Sequence, residues 1–224
     1  IDPEAPAEEL YDTIDDLNND PEVHGILVQL PLPDHVDENR VLQAIDPMKD
    51  VDGFHPTNVG LMVSGNARFK PCTPHGVIKM IEDAGVETEG KDVTVVGRSN
   101  IVGKPVANLL MQKTDTGNAT VTVCHSRTQN LEEKTKNADI VIAAAGVLGL
   151  MDGSLLSEGQ TVIDVGTNRV DGELVGDVDF ESAKDVVDAI SPVPGGVGPM
   201  TITMLLYNTV KAAGLQNDIE VELP

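Results

Sequence analysis

From Asp92 onward four short, almost wholly apolar segments recur at helix-length intervals: Val93-Thr-Val-Val96, Ala119-Thr-Val-Thr-Val123, Ile140-Val-Ile-Ala-Ala144 and Thr161-Val-Ile-Asp-Val165. They are strand-length and rich in β-branched residues. A strand that is apolar throughout, rather than at alternate positions, is covered on both faces. The stretches between them suit helices: Val102 to Lys113, entered through glycines, and a short charged one before Ile140. Strands alternating with helices make a parallel sheet clothed by helices. The second half of the chain is therefore expected to be an α/β, Rossmann-like domain.

The first part reads differently. Leu10, Ile14 and Leu17 have amphipathic helix spacing. Gly25-Ile-Leu-Val-Gln-Leu30 predicts a short buried strand, stopped by Pro31-Leu-Pro33. Asp37 is an expected N-cap for a helix to about Ile45, followed by an irregular loop over Asp46 to Asn58. Thr73-Pro74 predicts a helix start, Val77, Ile78 and Ile81 its buried face, and Gly85 its end. Asp171-Gly172 predicts a hairpin. Ser191-Pro-Val-Pro-Gly-Gly-Val-Gly-Pro-Met-Thr201 predicts a rigid, side-chain-poor loop before an apolar helix over Ile202 to Val210. Such a loop suits a flat ligand against backbone, or a tight domain-crossing turn.

Charge excludes one class of partner. With 15 Lys+Arg against 37 Asp+Glu, the formal net charge is −22. Nucleic acid is not expected, because binding it requires basic groups to neutralise phosphates. The acids are scattered, which argues for a folded protein, and a cytoplasm of very high salt explains them better than ordinary acidity. Cys72 and Cys124 form no framework, as expected in a reducing compartment. No apolar run approaches the ~18 residues of a membrane span, and no signal peptide is expected. The protein is thus expected to be cytoplasmic. The chain opens Ile1-Asp2-Pro3, without an initiator Met.

Val95-Val-Gly-Arg-Ser-Asn-Ile-Val-Gly-Lys-Pro105 follows a strand and opens a helix, the context of a phosphate-binding turn. A glycine turn without ligand is the alternative. The next strand ends Cys124-His-Ser-Arg-Thr128, without the acid that would hold unphosphorylated ribose. Ser126, Arg98 and Arg127 offer donors to a phosphate instead, so the expected cofactor is NADP rather than NAD. Arg127 could also be a surface arginine. Small residues end the next strands, in Ala144-Ala-Gly146 and Val165-Gly-Thr-Asn168, where a dinucleotide could cross. Upstream, Asp50-Val-Asp-Gly-Phe-His-Pro56 sets two carboxylates in a turn. No metal-ligand spacing supports a metal there with His55 or His75, and none is expected. Asp52 could accept hydrogen bonds from an amino-substituted heterocycle, or simply form the turn. Gln29 could supply an amide to the same pocket, or be a satisfied buried amide.

Gly25-Ile-Leu-Val-Gln-Leu-Pro-Leu-Pro33, Lys49-Asp-Val-Asp-Gly-Phe-His-Pro56, Pro71-Cys-Thr-Pro74, Gly97-Arg-Ser-Asn-Ile-Val-Gly-Lys-Pro105 and Pro192-Val-Pro-Gly-Gly-Val-Gly-Pro-Met-Thr201 closely resemble the bifunctional methylenetetrahydrofolate dehydrogenase/methenyltetrahydrofolate cyclohydrolase family. The match runs in order over essentially the whole chain. The resemblance implies a smaller α/β catalytic domain over residues 1–72, a Rossmann domain over 73–193, and a cleft loop and helix over 194–224 that rejoin the catalytic domain. It implies hydride transfer from methylenetetrahydrofolate to NADP, then hydrolysis of the methenyl product to formyltetrahydrofolate. Carried over by position, Asp52 would hold the pterin edge, Gln29 would line the reaction centre with Leu30 in the substrate site, and Pro194, Gly195, Gly198 and Pro199 would wall folate and nicotinamide. Gly97, Arg98, Ser99, Ser126, Thr167 and Thr201 would contact NADP. Tetrahydrofolate derivatives and a second copy, docked through the Rossmann domain, are the implied partners.

The family's Tyr-x-x-x-Lys helix, which carries the stacking Tyr and the acid/base Lys, would precede Ile1. A chain of Ile1–Pro224 alone is therefore expected to bind NADP weakly without turning over. Thr167 stands where many members carry Ile. Two other readings are a shikimate dehydrogenase-like enzyme, which would need a Lys partner for Asp52, and a noncatalytic nucleotide-binding module.

Overall fold

The structure, a computed structural model, describes residues 1–222. The chain divides into two compact units, Ile1–Cys72 with Met204–Pro224, and Thr73–Thr203.

The first unit opens with α1 (Ala7–Asn19). Its apolar face lays Leu10, Ile14 and Leu17 against Ile26, Val41 and Ile45, the predicted amphipathic packing. Lys49 Nζ closes its far end, donating to the carbonyls of Leu17, Asn18 and Asp20 at 2.7–2.8 Å. A cation there satisfies orphan carbonyls and opposes the helix dipole. Asp37 caps α2 (Glu38–Ala44) as expected, accepting from Arg40 N at 3.2 Å. The strand expected over Gly25–Leu30 is not formed. One parallel bridge, Ile26 with Asp50, is present. The segment has no longer ladder among the described residues, and Leu27 is 40% exposed, so the apolar run is neither paired nor buried throughout. Conversely, the expected loop to Asn58 gives way to a helix, α3 (Pro56–Val63). His55 caps it through Nδ1, which accepts from Thr57 N at 3.0 Å, and Pro56 fills its first position.

The second unit starts in α4 (Cys72–Asp83), whose Val77, Ile78 and Ile81 are buried as predicted. The helix begins one residue before the expected cap. Thr73 Oγ1 instead pairs with Thr201 Oγ1 at 2.8 Å, and Pro74 lies in the first turn, where its missing N–H costs little. There follow β1 (Asp92–Val96), α5 (Gly103–Met111), β2 (Thr120–Cys124), α6 (Leu131–Lys136), β3 (Ile140–Ala143), β4 (Thr161–Asp164), β5 (Asn168–Val170), β6 (Glu173–Val175), α7 (Phe180–Ala183) and β7 (Ala189–Ile190). Five strands form one sheet in the order β2-β1-β3-β4-β7, parallel at every pairing. The four predicted apolar strands are its first four, and the fold is α/β with a parallel central sheet. β3 and β4 are buried at every residue; β2, at the edge, is mostly exposed. β5 and β6 form the predicted hairpin, with Asp171 at φ 50° and Gly172 at φ 89°, the positive pair that a tight primed turn requires.

The last helix, α8 (Val197–Gln216), begins inside the stretch expected to be loop. Gly198 and Pro199 occupy its first turn, where a proline removes no intrahelical bond. The division between units falls within α8, at Thr203 and Met204, where the sequence expectation placed it at Pro194. In the first unit, Ala212 packs on Val51 and Phe69. Asn208, buried, donates to the carbonyls of Val51 at 2.8 Å and Lys70 at 2.9 Å.

Candidate functional site

In the second unit the chain passes from β1 outward to β2, then returns to the other side of β1 as β3. Ligands of open α/β sheets bind at such a switch point, beyond the carboxyl ends of the strands. Gly97 leaves β1 there at φ 134°. A side chain on Gly97 would collide with the Ala144 carbonyl beyond β3, and one on Gly103 with the Gly97 carbonyl. Both glycines are thus required for the turn to fold back on the start of α5. Ser99 Oγ accepts from Val102 N at 3.1 Å and Gly103 N at 3.3 Å. It satisfies two orphan donors of α5 and keeps its own O–H to donate. Lys104 N donates to Ser99 O at 3.0 Å, so the start of α5 favours an anion through its dipole rather than through free amides.

The register pairs Val96 with Cys124, so the turn at Gly97-Arg98 and the turn at His125-Ser126-Arg127 leave neighbouring strand ends. Thr128 N donates to His125 O at 2.8 Å, and His125 N to Thr128 Oγ1 at 2.8 Å, closing the second turn. Arg98, Ser126 and Arg127 are all exposed. Two guanidiniums and a hydroxyl on adjacent strand ends can surround a phosphate.

Two residues absent from the sequence expectations organise the next strand ends. Asp164 and Asp177 are buried. Asp177 Oδ2 accepts from Ala145 N at 2.7 Å and Gly146 N at 2.8 Å; Oδ1 accepts from Val147 N at 2.9 Å and Asn168 Nδ2 at 3.0 Å. Asp164 Oδ1 accepts from Gly166 N at 2.9 Å and Asp177 N at 3.0 Å; Oδ2 accepts from Val178 N at 2.9 Å. Burial pushes the Asp164 carboxyl above the ordinary range, against the pull of these amides. Gly166 and Gly176 leave room, since a Cβ on either would strike the opposing aspartate. The sequence signal was available: an acid ending an apolar strand, and glycines beside both acids. Thr167, between these contacts, is exposed.

Pro194, Gly195, Gly198 and Pro199 are all exposed. Gly195 has φ 107°, and a Cβ on Gly198 would meet nothing within 4 Å. They form a surface almost without side chains. Thr201, one turn into α8, is tied to Thr73.

In the first unit Asp50 and Asp52 have separate jobs. Asp50 takes the turn: its carboxylate accepts from the backbone N–H of Gly53, Phe54 and His55 and from Asn58 Nδ2, at 2.8–3.2 Å. The two-acid turn is therefore made by Asp50, and Asp52 lies beside the Cys72 thiol instead. Burial pushes the Asp52 carboxyl up to about 6, with Asp50 adding repulsion and the Cys72 thiol partly opposing it. Cys72, itself pushed up by burial, lies 3.3 Å from the Val51 carbonyl. Gln29 is exposed rather than buried, and its amide donates to Leu30 O at 2.9 Å; Leu30 is half-buried.

Residues 71–217 match the tetrahydrofolate dehydrogenase/cyclohydrolase, NAD(P)-binding domain, and residues 1–52 the catalytic domain of the same name. The chain belongs to the tetrahydrofolate dehydrogenase/cyclohydrolase family. Within this family it is 69% identical to bifunctional protein FolD 1 of Haloarcula marismortui, over 100% of this chain and 77% of that one. It is 66% identical to bifunctional protein FolD of Haloquadratum walsbyi, over 100% of this chain and 73% of that one. The crystal structure of the bifunctional enzyme FolD from Campylobacter jejuni superposes with a TM-score of 0.89 at 49% identity, covering 96% of this chain and 75% of that one. FolD of Trypanosoma brucei, complexed with NADP cofactor and inhibitor, gives 0.86 at 42% identity, covering 94% and 73%.

Proposed function

We propose that the chain is an NADP-dependent methylenetetrahydrofolate dehydrogenase and methenyltetrahydrofolate cyclohydrolase of folate one-carbon metabolism. Methylenetetrahydrofolate is oxidised to the methenyl compound, which is then hydrolysed to formyltetrahydrofolate. The observation that carries this reading is the family match, in chain order, of both the catalytic and the NAD(P)-binding segments. The glycine turn of the second unit fits a dinucleotide-binding turn, since Gly97 and Gly103 let β1, the Ala144 carbonyl and the start of α5 close together at the switch point.

In this reading the first unit is the folate-binding, catalytic domain and the second the NADP domain. When bound, NADP supplies the hydride acceptor. Gly97 and Ser99 hold it at the start of α5, with Thr167 and Thr201 as further contacts. Arg98, Ser126 and Arg127 take the ribose phosphate, and no acid ends β2 to repel it. In the first unit Asp52 accepts from the pterin edge and Gln29 and Leu30 take the folate; in the second, Pro194, Gly195, Gly198 and Pro199 offer backbone to the nicotinamide. The protein is proposed to be cytoplasmic; among the described residues no helix is long and apolar enough to cross a membrane. It is also proposed to be a homodimer through the second unit. Support comes from β2, an edge strand with Val123 37% exposed, since an uncovered edge offers unpaired backbone groups.

The test is NADP reduction by the full-length protein in molar KCl with methylenetetrahydrofolate, followed by loss of methenyl absorbance. A folded protein that does neither would refute the reading. Arg98→Ala should raise the Kd for NADP by about 10- to 150-fold, the loss of one charge-assisted bond of about 1.5–3 kcal/mol, and leave NAD nearly unchanged. An equal loss for both cofactors would remove Arg98 from the phosphate.

A further inference from the structure

We infer that Asp177, braced by Asp164, is a positioning residue for the cofactor: it fixes the loops after β3 and β4 in the shape the dinucleotide meets. The inference rests on the NADP assignment above and adds to it the part of the protein that sets the site's shape.

Three successive backbone donors, Ala145, Gly146 and Val147, converge on the Asp177 carboxylate. Consecutive N–H groups of this kind form an anion-binding concavity. Here the chain fills the concavity with its own carboxylate. The loop beyond β3 is therefore closed to a second anion.

Little else holds that loop. Ala145, Gly146, Val147, Leu148 and Gly149 are all exposed, and Val147 and Leu148 are each 50% exposed. A loop with little apolar packing keeps its shape through polar contacts, and its three amides on Asp177 are joined by one backbone bond of its own, Leu150 N to Val147 O at 3.2 Å. Asn168 carries the tie across to the loop after β4, donating to Asp177 Oδ1 and, at 3.1 Å, to Gly176 O. Asp164 then holds Gly166, Asp177 and Val178 by their backbone amides. The chain of contacts ends at the cofactor turn, because Ala144, immediately before the concavity, is the residue whose carbonyl closes on Gly97.

Two neighbouring buried carboxylates are expensive. Each is costly to desolvate, and the Asp177 charge raises the Asp164 pKa further. Their backbone bonds offset this. The arrangement spends that attraction on exposed loops at the ligand-binding edge of the sheet and not on its core.

Asp177→Asn in the full-length protein tests the role. The replacement keeps the shape but puts a donor where an acceptor stood. The Kd for NADP should rise at least tenfold while the cyclohydrolase rate, which uses no NADP, stays within twofold of wild type. By hydrogen exchange, the amides of residues 145–147 should lose protection while those of β1, β3 and β4 keep it. A merely structural role would lower both activities in step, and with unchanged NADP affinity the inference fails. If Asp177→Asn does not fold, Asn168→Ala, which removes one donor, should raise the Kd about threefold, and an unchanged value overturns the role. Wild-type protein that binds no NADP would instead refute the cofactor assignment itself.

Discussion

Asp50 and Asp52 stand two residues apart and differ only in what surrounds them. Asp50 is saturated by four donors, whereas Asp52 is half-buried beside Cys72 with its carboxyl pushed up to about 6. Spacing alone leaves open which acid makes the turn, because each of the two could fold back on following amides. If ionised Asp52 accepts from the pterin, folate KM should rise as pH falls through about 6, by up to tenfold per unit, while NADP KM stays flat. Asp52→Asn should abolish that pH dependence and raise folate KM about 10- to 150-fold at alkaline pH. A pH-independent folate KM in the wild type would remove Asp52 from the site. The stability effect has the opposite sense from that of a paired carboxylate. The folded-state value lies above the unfolded one of 3.8, so the favourable contribution is complete below 3.8 and is lost as pH rises through about 6.

At the scale of elements, what was legible in the sequence followed from continuous burial. β1 after its first residue, and β3 and β4 throughout, are buried, and a pattern set by continuous burial survives without any knowledge of neighbours. Elements fixed by single contacts were not legible. α3 depends on the cap that His55 provides, and histidine is an uncommon cap. β7 is two residues long and exists only by pairing with β4. The apolar run at Ile26 failed for the converse reason, having one bridge and no ladder. The glycine turn was legible as a motif, and its geometry makes it testable. Gly97→Ala meets both a φ of 134° and the Ala144 carbonyl. Strained φ alone costs about 1–3 kcal/mol. A lower melting temperature and at least a tenfold loss of NADP affinity are expected, and wild-type affinity in this variant would place the cofactor elsewhere.

At the scale of the whole molecule the surplus of acid remains to be explained. Against 37 Asp+Glu, the ion pairs among the described residues include Lys79–Glu82, Lys91–Asp139, Lys136–Glu132 and Lys184–Glu181. All are at the surface, where such a pair contributes about 0–1 kcal/mol. Salt therefore has little attraction to weaken and much repulsion to screen, which fixes the sign of its effect. The melting temperature should climb steeply from low to molar KCl. Screening saturates early, since the Debye length is already about 3 Å at 1 M. A rise that continues beyond this point, and is steeper in a salt excluded from protein surfaces, would mark strengthened apolar burial rather than screening. The relatives from Haloarcula marismortui and Haloquadratum walsbyi, at 69% and 66% identity, set a comparison for the same titration. A melting temperature independent of KCl throughout would show that a net charge of −22 is spread widely enough to cost the fold nothing, and would end the halophilic reading.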